Sequence, residues 1–204
     1  SVIMEAWKNG ILEQTFTFDT TTIYNKEAGT FYYPEQVLYR CVTSNKLDDE
    51  SLYRLVITNE LTGKIITAST PLVSDFPILK PIVNNPVKPT IHFPDNDNPK
   101  DLEWLSAKYG KLYNAIMRFH YKETFSSVTD TLYKYVETAY SPKKSETLEG
   151  GEEMLIQFAN NSFYKLLEQN VPYEPAKEAT VEARYAISVE YIFSVAGDDF
   201  NTFM

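Results

Sequence analysis

"YRLVITNELTGKIITAST", residues 53–70, decides the fold class of this chain. Tyr53, Leu55 and Ile57 alternate with Arg54, Val56 and Thr58, the two-residue period of a strand whose successive side chains point to opposite faces. A polar break with a glycine, Asn59 to Gly63, interrupts the run, and Ile65, Ile66, Thr67, Ala68 and Thr70 resume it. The stretch reads as a β-hairpin with Tyr53, Leu55 and Ile57 as its inward set. None of its side chains titrates near neutral pH. It therefore reads as scaffold, and a working surface is expected at a domain junction or in the loops.

Upstream, "SVIMEAW" and "ILEQTFTF" flank Asn9-Gly10, a pair that tolerates the positive φ angles of a type I′ turn. "DTTTIYNKEAGTFYYPEQ" reads as a longer connection broken by Gly29 and Pro34. "VLYRCVTS" is a further strand and "KLDDES" a turn. Many short strands closely spaced by turn signals predict an antiparallel immunoglobulin- or fibronectin-like sandwich over residues 1–82. From Pro71 to Pro99 the chain places seven of its eleven prolines. Proline cannot donate to a ladder, so this stretch reads as a stiff, extended connector with short edge strands, and a boundary is expected near residue 83.

Residues 83–204 return to strand patterns. In "KLYNAIMRFHYKE", Tyr113, Ala115, Met117, Phe119 and Tyr121 share one face, and Asn114, Ile116, Arg118, His120 and Lys122 the other. "DTLYKYVETAY" and "EEMLIQF" read as strands. "NNSFYKLLEQNV" is the one convincing helix, near 161–170, with Asn160, Asn161 and Ser162 as candidate caps and Phe163, Leu166, Leu167 and Val171 as its apolar stripe. The last strand predicts one uninterrupted apolar face of Val181, Ala183, Tyr185, Ile187, Val189, Tyr191, Phe193 and Val195, opposite Glu182, Arg184, Ser188 and Glu190. The second half is thus expected to be an antiparallel sheet with one wet face and one face covered by the helix.

Composition narrows the chemistry. A net charge of −9, with no Lys/Arg cluster larger than Lys143-Lys144, predicts no nucleic-acid partner. Seven glycines, about half of average usage, argue against glycine-rich phosphate loops. No run approaches the ~18 apolar residues of a membrane span. The single cysteine, Cys41, reads as a small buried apolar residue. Of the two histidines, His120 lies on the polar face of its strand, with Glu123 or Glu137 as conceivable partners, and His92 lies in the connector. No motif of a catalytic nucleophile, zinc site or nucleotide loop occurs.

Two groups of residues invite a ligand. Asp95, Asp97 and Asp101, with Asn96 and Asn98, are hard oxygen donors of the kind calcium takes. An EF-hand would need Gly and Glu where Lys100 and Ser106 stand, so a solvated polar turn competes with that reading. Trp7, Tyr32, Tyr33 and Trp104 could form a stacking platform for sugar, although aromatics in alternating strands are commonly core. No cofactor is expected, calcium apart.

"DTTTIYNKEAGTFYYPEQVLY", "YRLVITNELTGKIITASTPLVSDFPILKP", "KLYNAIMRFHYKE" and "FSVAGDDFNTFM" resemble a family of uncharacterised outer-membrane or periplasmic lipoproteins from Bacteroidetes. The resemblance covers most of the chain and rests on no catalytic residue. It implies a lipoprotein signal peptide, an acylated N-terminal cysteine and a chain longer than these 204 residues. Localisation to the bacterial outer membrane or periplasm follows, with the membrane reached only through that N-terminal lipid anchor. The combined expectation is a non-enzymatic envelope protein that binds, adheres or assembles, with an envelope protein or glycan as partner. Two alternatives stand beside it. One is a glycan-acting hydrolase using carboxylates at the domain junction; the other is a calcium-stabilised adhesion module at Asp95 to Asp101.

Overall fold

The computed structural model describes residues 1–24, 35–44, 47–82, 91, 93, 98–126, 131–171 and 181–203. Among the described residues the protein is mainly β, antiparallel in every ladder, with two short helices. It divides into two compact units, Ser1–Leu72 and Val73–Met204. The division falls after Leu72, one residue past the proline that opens the proline-rich stretch. Val73 and Phe76 pack into the core of the second unit, which draws the start of the connector into that unit.

In the first unit, β1 (Val2–Lys8) and β2 (Ile11–Thr17) form the expected hairpin, with Asn9 and Gly10 at φ 51° and 77°. The segment read as a connection contains β3 (Asp19–Tyr24), which pairs with β4 (Glu35–Arg40) along its full length. Its Thr-rich run is good strand sequence, and a search for breakers passed over it. The opening hairpin is β5 (Leu52–Thr58) and β6 (Ile65–Pro71), with Gly63 at φ 68° in the turn. A four-stranded sheet in the order β2-β1-β5-β6 and the two-stranded β3-β4 ladder make up this small sandwich-like unit.

The interior of this unit is slight. Ala6, Phe16 and Tyr53 are buried together, with Met4, Cys41 and Leu72 packed against them. Tyr53 is fixed at its polar end as well, its hydroxyl accepting from the Asp48 amide at 2.6 Å. Of the predicted inward set only Tyr53 is fully buried; Leu55 is half-buried and Ile57 is 39% exposed. Cys41 follows β4 in a loop, half-buried against the cluster, and is not within a strand.

The second unit holds a three-stranded sheet, β12-β8-β7, of β7 (Ile78–Lys80), β8 (Pro99–Leu105) and β12 (Glu153–Ala159). Its other sheet centres on the long β9 (Leu112–Phe125). That strand is flanked on one side by β10 (Thr131–Ala139) and the two-residue β11 (Lys143–Lys144), and on the other by β13 (Val181–Ala196). Leu102, Trp104, Tyr113, Ala115, Met154 and Ile156 form the core between them, ringed by Tyr140, Tyr191, Phe193 and Val195. Burial raises the Tyr140 hydroxyl above the usual phenol range and pushes Tyr191 up to about 12.

Helix α1 (Asn160–Asn170) lies where expected, but its N-cap is Ala159, which makes no side-chain cap hydrogen bond. Phe163 anchors it, stacked on Phe93 at 4.3 Å and edge-on to Phe119 at 5.2 Å. A second helix, α2 (Asp198–Phe203), ends the described chain.

The largest departure is in β13. The ladder with β9 is broken between Ala186 and Ser188, so Ile187 is an extra residue opposite no partner. Beyond the bulge Val189, Tyr191, Phe193 and Val195 share the inner face with Phe119, Met117, Ala115 and Tyr113. Before it the facing reverses: Arg184 and Ala186 stand opposite Glu123 and Tyr121, and Tyr185 opposite Lys122. The predicted uninterrupted apolar face is therefore split, which accounts for Tyr185 and Ile187 being 50% and 48% exposed.

Candidate functional site

Register builds the outer face of the β10-β9-β13 sheet row by row. Tyr133, Lys122 and Tyr185 form one row across the three strands. Tyr135, His120 and Ser188 form the next, and Glu137, Arg118 and Glu190 the third. The rows are cross-linked. His120 Nε2 lies 3.2 Å from Glu190 Oε2, and Arg118 Nε donates to Glu137 at 2.9 Å while its guanidinium covers the Tyr135 ring at 4.5 Å. Lys122 sits over the Tyr185 ring at 5.2 Å. These contacts hold the long side chains flat along the sheet and fix their polar ends.

Between the first two rows runs a shallow groove of about 300 Å³, lined by His120, Tyr133, Lys134, Tyr135, Ile187 and Ser188. The bulge makes it: the extra residue turns Ile187 to the groove wall, where a regular strand would have carried the ladder straight on. Tyr133 is 75% exposed and makes no ring contact among the described residues. The groove thus combines an open aromatic face, an apolar wall and hydrogen-bonding groups already locked in place.

The inner face of the same sheet carries a buried charge. Glu123 is 3% exposed and accepts from Lys134 Nζ at 2.5 Å and Arg184 Nε at 2.9 Å. Burial alone would raise its pKa, but the two cations outweigh it and hold the carboxyl below the usual range. Near it a cleft of about 310 Å³ opens between Phe119, Tyr121 and Ala186 of the sheet, Leu167 of α1 and Val171 just beyond the helix. Val171 and the start of β13 lead directly into residues 172–180, which are outside the described residues.

The residues singled out in the sequence do not converge. Trp104 is completely buried in the second core, so it belongs to no platform. Its position in the strand "DLEWL", flanked by Leu102 on the same face, is that of a core residue. Trp7 lies in the other unit, half-buried, its indole N–H donating to Glu5 at 2.9 Å and Arg54 lying over its ring at 5.4 Å. Tyr32 and Tyr33 fall outside the described residues, as do Asp95, Asp97 and His92. Asp101 stands in β8 and accepts from Gln157 at 3.0 Å and Lys80 at 3.3 Å, which together hold its carboxyl below the usual range. No group of three or more His, Cys, Asp or Glu suited to a metal occurs among the described residues.

His120 does lie on the polar face, but its partner is Glu190 on a strand 70 residues away. Glu123 is on the opposite face and Glu137 is taken by Arg118. The alternation of Tyr133 and Tyr135 with Lys134 was the available signal for the groove. What it lacked was the neighbouring strand. Compared with protein-family models, curated proteins and solved structures, the chain matches none.

Proposed function

We propose that this chain is a non-enzymatic binding module of the bacterial envelope, and that it holds a glycan in the groove floored by His120. The exposed Tyr133 ring beside that groove is the observation that carries the reading. A sugar ring presents an apolar face of C–H groups and a rim of hydroxyls. The first matches an open aromatic ring and the second matches polar groups such as His120, held by Glu190, and the Ser188 hydroxyl.

The chemistry of the same face supports binding over hydrolysis. Glu137 and Glu190 are both engaged by Arg118, at 2.9 and 3.8 Å, and Glu190 also meets His120. A hydrolase would need one carboxyl held protonated beside a free carboxylate. Placement at the envelope rests on the family resemblance; fractionation of the cells that make the full-length protein, with a radiolabelled fatty acid, tests it.

A glycan array followed by calorimetry on the best ligand tests the site. Tyr133→Ala is expected to weaken binding about tenfold or more, equivalent to 1.4 kcal/mol, with an unchanged far-UV spectrum. Binding that survives Tyr133→Ala and Ser188→Ala together would move the site elsewhere. Turnover of any bound glycan would end the non-enzymatic reading.

A further inference from the structure

Strand β6 is an edge of the four-stranded sheet, pairing only with β5 among the described strands. Edge strands present unpaired backbone groups, and proteins blunt them with charge, bulges, proline or brevity. Every other edge among the described strands is blunted. Glu13 stands in β2, Asp19 in β3, Glu35 and Arg40 in β4, Lys80 in β7 and Lys134 and Glu137 in β10. The two residues of β11 are lysines, β12 has Glu153, and β13 has Glu182, Arg184 and Glu190 as well as two register breaks.

Apart from the proline at its end, β6 has none of these. Ile65 to Thr70 contain no charged residue, all six are exposed, the ladder to β5 is unbroken, and the one proline closes the strand at Pro71. Ile65 and Ile66 are 63% and 67% exposed. A chain of net charge −9 repels its own copies over most of its surface. An uncharged edge is where that repulsion is least.

We infer that β6 pairs antiparallel with β6 of a second copy, joining two four-stranded sheets into one of eight strands. The partner chemistry is self-complementary. With the two-fold axis at Ala68, Ile66 stands opposite Thr70 of the second copy, Thr67 opposite Ser69, and Ile65 opposite Pro71. No like charges meet in any of these pairs. Seven residues a side are fewer than the roughly 20–30 of a standard interface, so the association is concentration-dependent. This pairing is independent of the groove on the second unit. It gives two groove-bearing units per assembly.

Sedimentation velocity of the whole chain over a wide concentration range tests the pairing. Wild type is expected to shift from monomer to dimer. Thr67→Lys, which places the usual edge charge at the centre of β6, is expected to abolish the shift, and Thr67→Val to retain it. Amide exchange gives a readout independent of any variant's folding: protection of β6 rises with wild-type concentration. A wild type that stays monomeric, a dimer indifferent to Thr67→Lys, or β6 amides whose protection ignores concentration would each overturn the proposal.

Discussion

In the first unit, Ala6, Phe16 and Tyr53 hold the middle of a four-stranded sheet, and the far half of the β5-β6 hairpin runs out into solvent. In the second, Trp104, Tyr113, Leu102 and Met117 are all essentially inaccessible, and Phe76 and Phe193 meet edge-on at 5.4 Å within the same core. The two units are built from the same kind of strand. What differs is how many strands present a large apolar residue to a common interior, and hence how much surface leaves water. A hairpin can therefore have an ideal register and still contribute little burial. In this chain local strand quality and core size are separate properties.

The largest expected effect that tests this contrast is Trp104→Ala. Emptying the second core should cost about 3–5 kcal/mol, against roughly 1 kcal/mol or less for Trp7→Ala on its half-exposed face. Urea denaturation followed by far-UV circular dichroism measures both, and equal losses would break the comparison. Each unit also contains one tryptophan, so Trp7→Phe and Trp104→Phe leave a single reporter apiece. The transition read through Trp104 should lie at higher urea than the one read through Trp7.

Next in size is Glu123→Gln. The buried carboxylate loses its charge while Lys134 and Arg184 remain beside it, at an expected cost of about 2 kcal/mol. The same group sets an acid limb. Its folded pKa is below the ordinary 4.5, so its contribution is complete above that value and is lost as pH falls below it through the folded pKa. Thermal melts of wild type should fall along this limb, and Glu123→Gln should flatten it. At the alkaline end the sign follows from Tyr191 and Tyr140. Both are raised above the ordinary 10.0, so the unfolded chain releases their protons first and stability declines above that pH.

Gly150→Ala should cost about 1–2 kcal/mol, because its φ of +79° is the left-handed region. A Cβ there would also lie 2.8 Å from the backbone nitrogen of Lys108. Smallest of all is Tyr133→Ala, expected to change stability by no more than about 0.5 kcal/mol while removing the groove's open ring. A large loss of stability there would make Tyr133 a structural residue.

Much of this fold was legible. Asn9-Gly10, the alternation of Tyr53, Leu55 and Ile57, and the stripe of Phe163, Leu166 and Leu167 each state a period or a turn that the backbone follows. Local signals could not give the strand at 19–24, whose neighbours suggested a loop, or the cap of α1, where the three polar candidates are the first residues of the helix and alanine stands before them as the cap. The groove was hidden for a different reason. Nothing in "RYAISVE" marks Ile187 as extra, because a bulge is a property of two strands and one sequence shows only one of them. Counting by twos through residue 187 keeps the apolar positions in phase on paper. In the protein that phase breaks, and Arg184 arrives beside Glu123.

The bulge at Ile187 has one more consequence, for the uniqueness of the fold. A regular strand can slip along its neighbour by two residues and keep every side chain on its proper face. With one extra residue fixed between Ala186 and Ser188, such a slip would carry the kink away from His120 and drive Arg184 past the Glu123 carboxylate it meets at 2.9 Å. Ile187 therefore acts as a detent on a long ladder, and it selects a single alignment of β13 that hydrophobic periodicity alone would leave degenerate.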